Sequence, residues 1–64
     1  MKARQREDIE QSMSLVSQSA SAVHAALNPA GGKVDQTELA NALAVYRGML
    51  GTARDVLRNV MRGL

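Results

Sequence analysis

The chain has 64 residues and a formal charge of +2, with no cysteine, tryptophan or phenylalanine and one aromatic residue, Tyr46. That length allows one domain at most, with a core small enough that oligomerisation or docking would add needed stability. The composition excludes disulfides, thiolate nucleophiles and cysteine-ligated metals, and no run approaches the ~20 apolar residues of a membrane span.

A core restricted to Leu, Val, Ile, Met and Ala suits closely packed helices and suits a sheet badly. At the N-terminal end Lys2, Arg4 and Arg6 are followed by Glu7, Asp8 and Glu10, where a signal peptide requires apolar residues and a mitochondrial presequence avoids acids. The expected location is therefore cytoplasmic, with export by a route that uses no cleaved signal as the alternative.

The first predicted helix runs over residues 3–27, with a frayed first turn because cations there oppose the helix dipole. It is serine-rich, with Ser12, Ser14, Ser17, Ser19 and Ser21. The one strong break in the chain follows, Asn28-Pro29-Ala30-Gly31-Gly32-Lys33. Asn28 precedes proline and is pushed out of the helical region, so the turn is placed at 28–35. The second helix is predicted over 36–62, roughly 40 Å long. Asp35 fits its N-cap and Glu38 the reciprocal position of a capping box, with Val34 and Leu39 as a hydrophobic staple.

Both segments carry a heptad seam. In the first it is Ile9, Met13, Val16, Ala20, Val23 and Leu27. In the second it is Leu39, Leu43, Tyr46, Leu50, Ala53, Leu57, Val60 and Leu64. The short turn makes the helices antiparallel neighbours. One register then pairs Leu27 with Leu39, Val23 with Leu43, Ala20 with Tyr46, Val16 with Leu50, Met13 with Ala53 and Ile9 with Leu57. The expected fold is an all-α antiparallel hairpin, completed by oligomerisation or by docking on a partner.

The two flanks of this seam differ. One is polar and charge-matched, with Glu10 across from Arg54, Ser17 across from Arg47, and His24 across from Ala40. The other sets Ser12 against Val56, Ser19 against Met49 and Ala26 against Ala42, with Leu15, Ala22 and Val45 just outside. Leu15, Ser19, Ala22, Ala42, Val45, Met49 and Val56 are accordingly the expected surface for self-association or a protein partner. Ala44, Gly48 and Gly51 form a small-residue strip on the outer side of the second helix, as a close contact or a bend would require.

Catalytic chemistry has no evident seat. His24 is the only histidine, none of the serines has a base and an orienting group, and the glycine pair belongs to a turn. No catalytic, metal-binding or cofactor-binding residue is expected, and the chain reads as non-enzymatic. Arg47, Arg54, Arg58 and Arg62 provide the alternative, a basic face for RNA or DNA. Against it stand the suitability of cations at a helix C-terminus and the lack of aromatic residues to stack bases.

From Asn28 to Leu64 the chain resembles two groups of exported axial proteins. Asn28-Pro29 followed by a helix containing Tyr46-Arg47 is similar to type III secretion needle subunits, which are helical hairpins with a proline-containing turn. Val34-Asp35 with Glu38-Leu39, Asn41 and Arg47 resembles the C-terminal helix of flagellar rod and hook proteins. The chain lacks the second turn proline of typical needles and the N-terminal signature of the rod family. The resemblance implies a subunit that packs into a tube or rod after export. In architecture the chain is also similar to small hairpin chaperones of the same secretion systems, and to short hairpins that dimerise into four-helix bundles and bind RNA.

Overall fold

A computed structural model describes all 64 residues and contains two helices, α1 (Ala3–Leu27) and α2 (Gln36–Gly63), joined by a short turn. The helices are antiparallel and lie side by side, giving a slab of 47 × 16 × 10 Å. The first turn of α1 lies beside the last turn of α2, since a Cβ added at Gly63 would stand 2.7 Å from Nε2 of Gln5.

The ends of the helices follow the local chemistry. The Lys2 backbone N–H donates to Oε1 of Gln5 at 2.9 Å, satisfying one group at the start of α1. At its other end the Asn28 side-chain amide donates to the His24 carbonyl at 3.0 Å, and the Asn28 N–H reaches the His24 and Ala25 carbonyls. Pro29 then ends the helix. Within the turn the Gly32 N–H donates to the Pro29 carbonyl at 3.0 Å, and Gly32 adopts φ +76, a left-handed conformation that favours glycine. Oδ1 of Asp35 accepts from the N–H groups of Thr37 at 2.9 Å and Glu38 at 3.2 Å, so the aspartate caps α2. The expected return bond from the Glu38 side chain to the Asp35 N–H is not formed, which leaves half of the capping box.

On α1 the line of closest approach differs from the expected seam, whereas on α2 it runs through two of the expected seam residues. On α1 the most buried residues are Ser12, Ser19 and Ala26, one every seven residues; on α2 they are Ala53 and Val60. Ile9, Val16, Ala20 and Val23, with Leu39, Ala42, Tyr46, Met49, Val56 and Leu57, are half-buried around that line. Met13, Leu27, Leu43 and Leu50, expected in the core, are instead exposed.

The cause is steric. Each helix has an apolar arc wider than one neighbour can cover, and small side chains at heptad spacing allow the closest backbone approach. The serine–alanine side of α1 therefore turns inward, and the larger seam residues are carried to one side. Ser19 tolerates burial because its hydroxyl donates to the Val16 carbonyl at 2.9 Å within its own helix.

Candidate docking face

The large apolar side chains displaced from the contact line collect on one face of the slab. Met13 and Val16 of α1, with Leu50, Ala53, Leu57 and Met61 of α2, line an open groove of about 990 Å³. Met13 is 64% exposed, Leu50 44% and Met61 71%. Leu43 lies two turns before Leu50 and continues the stripe towards the turn, where Leu27 is also exposed. Ser12, Ser17, Arg54, Arg58 and Arg62 complete the lining of the groove. No side chain of the molecule is wholly buried.

The expected docking flank is partly taken up by the hairpin itself. Ser19 is buried in the packing of α1 on α2, and Ala42, Met49 and Val56 are half-buried, as Val16 and Leu57 of the groove are. Leu15, Ala22 and Val45 are exposed. They lie on the other side of the slab, where Leu15, Met49 and Val56 border a smaller cleft of about 220 Å³ together with Asp8, Gln11 and Thr52. The lining of that cleft is part polar and part apolar, and Val45 beyond it is 55% exposed.

The charged residues also depart from expectation. Oε1 of Glu10 pairs with Nε of Arg6 at 3.2 Å in its own helix, not with Arg54. Arg54 makes only a loose contact with its neighbour Asp55, at 3.9 Å. Arg47, Arg58 and Arg62 are exposed and have no carboxylate partner. His24 is exposed at the edge of α1, and no three metal-ligating side chains converge. No helix is long and apolar enough to cross a membrane.

Comparison of the chain with protein-family models, with curated proteins and with solved structures finds no match. What the arrangement offers is an apolar groove with a basic edge, whose physical capacity is to bury area against another surface. The sequence held a signal for this face in the seven-residue repeat of Ser12, Ser19 and Ala26. A small-residue repeat that draws two helices together must displace the larger residues of a broad apolar arc to its side.

Proposed function

We propose that the hairpin is a non-enzymatic protein–protein assembly module that docks on another helical surface through the Met13, Val16, Leu50, Leu57 and Met61 face. The observation that carries this reading is the contiguous apolar groove on a molecule with no wholly buried side chain. Burying a Leu or Met side chain stabilises by roughly 1.5–3 kcal/mol when complete, and several such side chains are left open here. The likeness to needle and rod subunits and to hairpin chaperones suggests secretion or axial-filament assembly as the setting. As a subunit the chain would be exported, and as a chaperone it would hold a client in the cytoplasm.

Because the chain lacks cysteine, single introduced thiols report which face is covered. In cell extract, Leu50→Cys is expected to react with a maleimide much more slowly than Val45→Cys on the other side. Equally fast reaction at both positions would contradict docking through this face.

A second reading has one observation in its favour, that Arg47, Arg58 and Arg62 form no ion pair with a carboxylate. These arginines, with Arg54, would then follow the phosphates of an RNA or DNA strand. Binding to a mixed-sequence oligonucleotide that falls steeply as salt rises supports this reading; no binding at low salt removes it.

A further inference from the structure

Resting on the assembly reading, we infer that the occupant of the apolar face is a second copy of this chain, which closes the hairpin into a two-fold four-helix bundle. The first ground is area. The chain exposes 5136 Å², whereas a compact monomer of its mass exposes about 4,000 Å². The difference is of the size each partner contributes to a stable interface, about 800 Å².

The second ground is the shape of the unfilled layer. Stable domains bury their helices between two layers, and the hairpin is one layer only 10 Å thick. A second hairpin has the length and width to cover the face from end to end. Met13, Ala20 and Leu27 on α1, and Leu43, Leu50 and Leu57 on α2, recur every seven residues. That is the spacing at which helices pack along their length, and the contact within the hairpin leaves most of these residues exposed. A second copy supplies helices of the same period, and a net charge of +2 opposes its approach little.

The third ground is one-sidedness. An open filament needs two different adhesive surfaces on each subunit, whereas a two-fold pair uses one surface twice. The groove side is apolar and continuous. The other side carries Asp8, Gln11, Thr52 and Asn59 around its few apolar residues. Using the broader apolar face twice gives a closed pair, which accords with the chaperone setting and not with a filament subunit.

Sedimentation equilibrium on the 64-residue chain tests this, with Leu50→Ala and Val45→Ala as paired variants and circular dichroism to follow helicity. The expected result is a species of twice 6.9 kDa. Its dissociation constant should rise ten- to a hundredfold in Leu50→Ala and stay within about threefold in Val45→Ala. An open series of heavier species, or equal weakening by Val45→Ala, overturns the two-fold pair. A chain that stays monomeric into the millimolar range also overturns it, and binding of anilinonaphthalene sulfonate then separates the two claims. A helical monomer whose dye binding drops in Leu50→Ala keeps the docking reading and loses the second copy. A helical monomer that binds no dye removes both.

Discussion

Asp35 is the residue whose local role is most sharply defined. Its carboxylate takes two otherwise unpartnered N–H groups at the start of α2, so Asp35→Ala is expected to destabilise by about 0.5–2 kcal/mol. Glu38 makes no return bond, and Glu38→Ala should cost only the interaction of an acid with the helix dipole, about 0.3–1 kcal/mol. In a thermal double-mutant cycle the two changes should add. A coupling near 1 kcal/mol would show that the reciprocal bond forms after all. Gly48 and Gly51 give a second test at this scale. No atom of the hairpin lies within 4 Å of where their Cβ would be, so each change to Ala should stabilise α2 by up to about 1 kcal/mol. A lower melting temperature for either variant would mean that a partner backbone packs against that strip.

Between elements, the contact of α1 with α2 depends on residues small enough to let the backbones approach. Ser19→Ala loses only a hydrogen bond within its own helix and should lie within about 0.5 kcal/mol of the parent. Ser19→Leu has no room and should cost about 1–3 kcal/mol through overpacking. Chemical denaturation of both variants checks this, and a Ser19→Leu as stable as the parent would show that the line of approach runs elsewhere. The same packing explains how far the sequence could be read. The positions of both helices, the turn at Pro29 and the Asp35 cap were legible because each is fixed by local chemistry. The rotation of one helix against the other was not. It is decided by a competition between large and small side chains within one broad apolar arc, and the heptad seam picks out the large ones. Val60 and Ala53 were expected on the seam and are buried, while Leu43 and Leu50 were expected there and are exposed. Their truncation should therefore disturb the lone hairpin far less than a buried leucine would, and should act mainly on whatever covers the face.

For the whole molecule the same rotation decides which large apolar side chains are left exposed. Of the expected docking flank, only Ser19 is buried between the helices; Met49 and Val56 are half-buried, and Leu15, Ala22 and Val45 stay exposed. Charge complementarity also misled. Glu10 was expected across from Arg54, but it pairs with Arg6, one turn away in its own helix. Legible in the sequence was that a chain this short with two apolar seams leaves part of them exposed, the part that the proposed second copy would cover. Folding and association should in consequence be one event, and the dependence of the melting temperature on chain concentration measures that coupling most directly. For a pair of these chains the midpoint is expected to rise by about 5 °C for each tenfold increase in concentration, given the usual unfolding entropy per residue. A midpoint that stays fixed from micromolar to millimolar chain would contradict a fold completed by a second copy.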